Sequence, residues 1–418
     1  MARRFIFLVC LILAVAVLFV ADESQAMPNF ARKYDATCDM CHTVIPKLNK
    51  LGYEFRLSGY RLPDEIGKAE KPFKFENFFA ARFQAQYKWN QTKKADGSET
   101  TSSQFEFNEF TMYPLTGSWG KNFASLGEFS MSPDDVFETE NAYIRYDTNM
   151  GKGIFQARVG IMHPWEGFGA SDRPISLSRP LIQKSTATGN PFFLWNLDQF
   201  GIEAGYYYQP TGTALSLNLW NGIIWKEDGS GTAEPAQGGG ITKTQGQPGA
   251  NDKDFQAVLT QIFPNEAGAT LYYYRGVVPV PDPNVAATTT RDTFDRFAAY
   301  GNYWVLPKTV NLLAGFGYGN DSLGDSSLAP NVGKSKGYFV EANYHLNLND
   351  LGVAARYDSF DPSDKVSHNN QTAYTVALNM PSNIGLQGIL EYQHKETEKT
   401  AGGSDKTDQV QARMIFIW

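Results

Sequence analysis

Cysteine and histidine are scarce in this chain of 418 residues, with three of the first and five of the second. Three thiols, one of them Cys10 inside an apolar run, leave no disulfide framework to staple a small secreted fold. Basic residues are outnumbered, 37 Lys and Arg against 44 Asp and Glu, for a net charge of −7. A mildly acidic chain has no electrostatic footprint for nucleic acid, which is excluded as a partner. Beyond residue 26 no apolar run is long enough to cross a bilayer as a helix. The glycine-rich run 229–249 lacks the spacing of a phosphate loop and reads as a flexible loop.

What is present begins at the amino terminus. Arg3 and Arg4 precede an apolar run over 5–21, and Ser24-Gln25-Ala26 is a small-x-small site. Residues 1–26 are therefore expected to be a secretory signal peptide cut after Ala26; the alternative, an uncleaved anchor, has a run that is short for a span.

Cys38-Asp39-Met40-Cys41-His42 is a C-x-x-C-H sequence, which reads as attachment of one covalent haem c. Two thiols a helical turn apart meet the two vinyl groups of one porphyrin, and the next residue places an imidazole under the iron. A zinc site would need a second ligand pair, and a redox dithiol would need a βαβ context; neither is found. Residues 27–71 form the expected haem segment, near the size at which a chain cannot bury a sufficient core unaided. Leu48, Leu51, Phe55 and Leu57, on a helix after Pro46, are placed to pack on the macrocycle. Pro63 and Pro72 bracket a polar linker.

From Pro72 the hydrophobic period is two. Phe79, Ala81, Phe83, Ala85, Tyr87 and Trp89 alternate with Arg82, Gln84, Gln86 and Lys88, and the pattern recurs as far as Val410–Trp418. Counted this way, residues 72–418 hold about sixteen strands. Short connections (209–213, 264–268, 307–310, 347–351, 381–384) alternate with long polar ones (90–103, 164–192, 226–254, 281–292, 321–336, 396–405). Outer-membrane barrels connect their strands in this way, with tight periplasmic turns and long external loops. Aromatic residues make up 14% of the chain, and Tyr206 to Tyr208, Tyr272 to Tyr274, Tyr303-Trp304 and Trp418 fall near strand ends, as interfacial girdles do. A soluble sandwich, the alternative, is built from shorter strands. The fold class is thus all-β, an outer-membrane antiparallel barrel with a small α-helical monohaem segment in front. The segment is expected to be periplasmic or inside the lumen, and lipid to surround the barrel.

Assignable lumen charges are of mixed sign (Arg82, Glu106, Arg158, Glu203, Glu341, Arg356, Arg413), which argues against strong ion selectivity. Glu138 and Glu140 read as a solvated face, not as metal ligands. For the distal side of the iron, 27–71 offers no histidine besides His42, and its methionines are Met27 and Met40. Met40 lies between the attachment cysteines and Met27 at the expected mature terminus. A distal ligand would then come from the barrel. His368 lies in an external loop, and His163 and His394 alternate with the apolar set. His345 alternates with the lumen set beside the short turn 347–351 and is the candidate; Met112 is the runner-up. A lumen histidine that merely hydrogen-bonds is the plainer alternative.

Ala26-Met27-Pro28-Asn29-Phe30-Ala31-Arg32, followed by C-x-x-C-H, Pro46-x-Leu48-Asn49, Gly52 and a barrel ending Ile417-Trp418, resembles the fused monohaem cytochrome–porins. The best-known members are outer-membrane iron oxidases. The resemblance implies electron transfer across the outer membrane between an external reductant such as Fe(II) and a periplasmic cytochrome or other soluble carrier. In the iron oxidases the motif continues Gln-Thr, where this chain has Lys33 and Tyr34, so the implied donor class is broader than ferrous iron. The alternative is a porin-like channel whose haem segment is a plug or sensor. A haem peroxidase would need a distal acid–base motif that the sequence lacks.

Overall fold

The computed structural model describes residues 28–418 apart from 46, 69–73, 134–136, 164–173, 188–189, 192–198, 226–232, 236–251, 282–288, 323–332, 347–350 and 382–384. The expected signal peptide, Met27, Pro72 and the run 229–249 (save 233–235) therefore lie outside the described residues.

Sixteen long strands close into one antiparallel barrel. They are β1 Ala80–Lys93, β2 Glu99–Tyr113, β3 Phe123–Met131, β4 Glu138–Met150, β5 Gly153–Met162, β6 Gln199–Tyr208, β7 Thr213–Trp220 and β8 Asp254–Ile262, then β9 Gly268–Pro281, β10 Thr289–Leu306, β11 Val310–Asp321, β12 Gly333–His345, β13 Gly352–Asp361, β14 Gln371–Pro381, β15 Leu386–Glu398 and β16 Ser404–Ile417. Each strand pairs with its chain neighbour, and β16 pairs with β1 from Lys406↔Lys93 to Ile417↔Arg82. Ala81 and Trp418 exchange two backbone hydrogen bonds of 2.8 Å at the seam. Closure leaves no unpaired edge, the condition for a sheet in lipid.

The alternation explains why this sequence closes in this sense. Ile144, Val159, Ile202, Leu217, Leu271, Phe297, Phe316 and Val376 point outward and are exposed, while Arg145, Arg158, Glu203, Asn218, Arg296, Glu341 and Arg356 point inward and are buried. Apolar outside and polar inside is the reverse of a soluble core and the arrangement of a lipid-embedded barrel.

The short connections 151–152, 209–212, 263–267 and 307–309 all lie at the end where β1 starts and β16 finishes, the periplasmic end by the rule for such barrels. Two expected long loops are corrected. The 90–103 connection contracts to 94–98, with Lys94 N–H donating to Ser98 O at 2.8 Å, and the 396–405 connection contracts to 399–403. The polar residues there are strand, cross-linked by pairs such as Thr92–Thr407 at 3.0 Å. Once a hairpin rises into water, both its faces can be polar, so alternation fades before the strand ends.

Residues 28–68 fill the periplasmic mouth. Helix α1 (Pro28–Tyr34) leads to a single turn, Cys38–Met40, then to a small hairpin of His42–Val44 and Lys47–Leu48, and to helix α2 (Lys50–Leu57). Asn49 caps α2, its side chain accepting from Gly52 N at 2.9 Å. The segment shares its core with the wall. Leu48, Tyr53, Leu57 and Ile66 pack on the wall residues Ile154, Tyr207, Ala214 and Ile262, while Phe55 and Tyr60 pack with Phe30, Tyr34 and the wall residue Ala124. Two buried arginines fasten it. Arg145 of the wall donates to the α2 carbonyl of Arg56 (2.8 Å), to that of Leu57 (2.5 Å) and to Asp147 (2.6 Å). Arg61 of the plug donates to the carbonyls of Gly120 (3.2 Å), Lys121 (2.7 Å) and Phe123.

Candidate functional site

Cys38 opens the turn that places Cys41 beside it, with Cys41 N–H donating to Cys38 O at 3.1 Å. Cys38 is buried, Cys41 and His42 are half-buried, and both cysteines are thiols outside any disulfide. Asn49 Nδ2 donates to the carbonyls of Asp39 (3.2 Å) and Met40 (3.0 Å), so the cap of α2 also holds the motif. Thr43, next after His42, donates to Glu266 in the periplasmic turn 263–267. The motif therefore sits at the mouth of the barrel, tied to the wall.

Two features of this geometry fit a haem c. Burial, and then the neighbouring Cys38, push the Cys41 thiol up to about 11. A thioredoxin-type dithiol needs a thiolate at neutral pH; a thioether does not. The approach of α2 is the second. A Cβ on Gly52 would stand 2.2 Å from the Cys41 carbonyl oxygen, so only glycine lets the helix lie against the Cys38–Cys41 turn.

His345 is on the lumen wall, 3% exposed, its ring 5.6 Å from that of Trp304. Lys47 of the plug hairpin, itself buried, is within electrostatic reach of it. The structure thus brings His345 opposite the hairpin that begins at His42. Met112 is a correction. It alternates with the buried Thr111 and Tyr113 and so faces out of the lumen. The cause is a bulge in β2: Ala85 pairs Phe107 and Gln84 pairs Glu109, leaving Asn108 over. One extra residue reverses which parity points inward. His394 faces outward, paired with Asp408 at 2.9 Å, and His368 lies in the connection between β13 and β14. His163 stands one residue past β5.

The inward charges are paired. Arg158 holds Glu203 (2.7 and 2.5 Å), Arg296 holds Asp321 (2.8 and 3.1 Å), and Arg356 holds Asp358 (2.8 Å) and Glu341 (3.3 Å). Glu140 is the extra residue of a second bulge, between Thr139↔Phe129 and Asn141↔Glu128, and is within reach of Glu128 and Glu109 near Arg82. Among the described residues no group of three or more His, Cys, Asp and Glu is placed to hold a metal ion.

Part of the expected external connection 164–192 folds inward instead. Ser178 N–H donates to Glu391 (3.1 and 3.0 Å) and Leu181 N–H to Asp358 (3.1 Å), while Arg356 donates to Ser176 (2.5 Å) and Ser178 (3.0 Å). Leu181 and Ile182 pack with Trp220, Tyr274, Phe294 and Phe360 inside the lumen. Paired lumen carboxylates that accept from backbone amides draw this stretch in, and a polar composition alone does not reveal it.

No protein-family model and no curated protein matches the chain. Among solved structures, the outer membrane channel DcaP of Acinetobacter baumannii aligns at 12% identity over 84% of this chain and 100% of that one, with a TM-score of 0.54. OmpF of Salmonella typhi, in complex with daunomycin, aligns at 10% identity over 81% and 97%, TM-score 0.49. OmpT of Vibrio cholerae aligns at 14% over 84% and 100%, TM-score 0.46. The likeness to DcaP is one of fold, a porin-like outer-membrane barrel.

Proposed function

We propose that this chain is a porin-fold outer-membrane protein whose periplasmic mouth is closed by a segment carrying one covalent haem c. The observation that carries the reading is the seating of Cys38, Cys41 and His42 within a plug fastened to the barrel wall by Arg61 and Arg145. In this reading Cys38 and Cys41 hold the group through thioethers, His42 supplies the proximal imidazole, and His345 is the wall residue available to the iron from the other side. A haem c held there supplies one-electron redox chemistry. The chain's own part is to bind it, to shield it with α1, α2 and the wall, and to hold it at the mouth, where a soluble periplasmic carrier has access.

A channel with a haem-bearing plug or sensor agrees with the porin fold. Transfer of electrons between an external reductant, Fe(II) or another small donor, and periplasmic carriers is the second reading. It is favoured by the filling of the lumen at two levels, by residues 28–68 and by residues 174–185. Single-channel recording on the purified protein separates the two. The plug reading expects little conductance from the native protein and a stepwise increase in Arg145→Met. The electron-transfer reading expects silence from both, with reduction of the haem by Fe(II) in stopped flow. A wide, constant pore in the native protein, with a haem that Fe(II) leaves oxidised, contradicts both.

A further inference from the structure

The ring that closes the barrel is lower than its tallest strands. On one side β2 pairs with β1 from Ala80↔Tyr113 up to Lys93↔Glu99. On the other side it meets β3 only at Phe110, Thr111 and Met112, because β3 ends at Met131, opposite Phe110. Above that level, at the external end, the backbone of 99–109 has no strand against it among the described residues. Thr100, Thr101, Ser102, Ser103 and Gln104 are exposed, and Phe105 is 69% exposed.

This edge is held from behind. β15, β16 and β1 rise with β2 as one sheet, paired up to Glu398↔Ser404, Lys406↔Lys93 and Lys93↔Glu99. Asp405 joins the two hairpin tips, accepting from Ala95 N–H at 3.0 Å and from Lys399 at 2.8 Å. Phe107 stands 5.5 Å from Phe83 between ring centres, and Phe105 stands 4.9 Å from Tyr87.

Proteins blunt an exposed sheet edge with lysine, proline, a bulge or a short strand. Glu99 to Phe107 holds no lysine, no proline, no glycine and no bulge; the bulge at Asn108 lies at its foot. Its threonines and phenylalanines favour the extended chain. Such an edge is a template for one more strand. The charges along it are of one sign. Glu99 and Glu106 are the charged residues of the stretch, and among the described residues they are held by neutral amides, Gln91 donating to Glu99, and Gln86 and Gln104 to Glu106. By alternation Glu106 lies on one face, and Phe105 and Phe107 on the other.

We propose that the external edge of β2, residues 99–107, docks an extended segment of another protein outside the cell, one in which basic residues alternate with apolar ones. Backbone hydrogen bonds to the edge supply the affinity, Glu106 pairs a basic side chain, and Phe105 and Phe107 pack against the apolar set. A second copy of this chain does not fit. Strands of such barrels lean by about 35–45°, so a two-fold axis along the membrane normal would cross two copies of β2 instead of laying them side by side. The surface lies at the mouth opposite the plug and does not depend on the haem reading.

The probe is a synthetic peptide of alternating lysine and valine, with a second version methylated at every backbone amide. Full-length protein, one copy per lipid nanodisc, is followed by amide hydrogen exchange over 99–109 and by the fluorescence anisotropy of labelled peptide. In the protein alone every second amide of the segment should exchange fast, since its N–H points away from β1. The unmethylated peptide should slow those amides roughly tenfold, and the methylated one, of equal charge, should not. Glu106→Gln should weaken binding of the unmethylated peptide. Slow exchange in the protein alone, or binding that leaves the exchange fast, overturns the open edge. Equal protection by the methylated peptide overturns strand pairing, and unchanged binding in Glu106→Gln overturns the basic character of the partner. Protection that appears without peptide once several copies share a membrane would mean that this chain fills its own edge, and the proposed partner falls.

Discussion

Glycine at position 52 and the thiol at position 41 are the residues at which the proposed attachment turn can be tested. In Gly52→Ala the new methyl carbon meets the Cys41 carbonyl at 2.2 Å, with backbone on one side and helix on the other, so the turn must shift. The expected result is a large fall in haem staining on denaturing gels while the barrel keeps its heat-dependent mobility; full haem content in this variant would mean that α2 does not seat against the turn. Cys41 makes a second test. In protein produced without haem attachment, its reaction with iodoacetamide should be slow at pH 7 and rise roughly tenfold per pH unit toward its raised pKa of about 11. Rapid alkylation at neutral pH would mark a low-pKa thiolate and point to a redox dithiol. The motif itself was legible because C-x-x-C-H is contiguous. The wall partners of the plug were not, because nothing in the local sequence of Arg145 separates it from the other polar residues of an inward face.

Strands were legible wherever the period of two ran unbroken, and they failed at single extra residues. In β12 the inward set Phe339, Glu341, Asn343 and His345 is buried as the alternation requires. In β2 the bulge at Asn108 turned Met112 outward, a change no hydrophobic pattern announces. Strand orientation can be tested through lipid. Leu217 of β7 faces out and is 43% exposed, while Asn218 faces in at 1%. Leu217→Arg should lower barrel stability by about 2–4 kcal/mol in urea titrations from phospholipid vesicles. Asn218→Ala should cost much less, and a reversed order would invert the assignment of faces. The wall–plug fastening is testable at the same scale. Arg145→Met leaves Asp147 buried without its partner and strips two carbonyls of α2, a loss of about 3–5 kcal/mol for a broken buried pair. The plug should then be cut by protease added from the periplasmic side while the barrel remains intact; equal resistance in variant and native protein would show that Arg145 does not hold the plug.

A porin-like barrel, a segment that fills its mouth and a connection that folds into its lumen make up the whole molecule. The alternation of short and long connections gave the topology, with both ends of the barrel at the short-turn side. Tags inserted near Gly239 should accordingly be labelled from outside intact cells and tags near Asn349 should not. What the sequence could not convey is how closely the segment and the barrel depend on one another. Residues 27–71 read as a small unit awaiting a haem to complete its core, whereas the structure packs Leu48, Tyr53 and Leu57 on the barrel wall. Long-range packing of this kind leaves no periodic signal, since its two halves lie far apart along the chain. The account stands or falls on the covalent group. The decisive measurement is the mass spectrum of the peptide containing Cys38 to His42, cut from protein purified out of the outer membrane. The account predicts that peptide heavier by one haem, bound at both cysteines, and the unmodified mass in Cys38→Ala/Cys41→Ala save for the two substitutions. An unmodified peptide from the native protein, or one joined only by a Cys38–Cys41 disulfide, would contradict it.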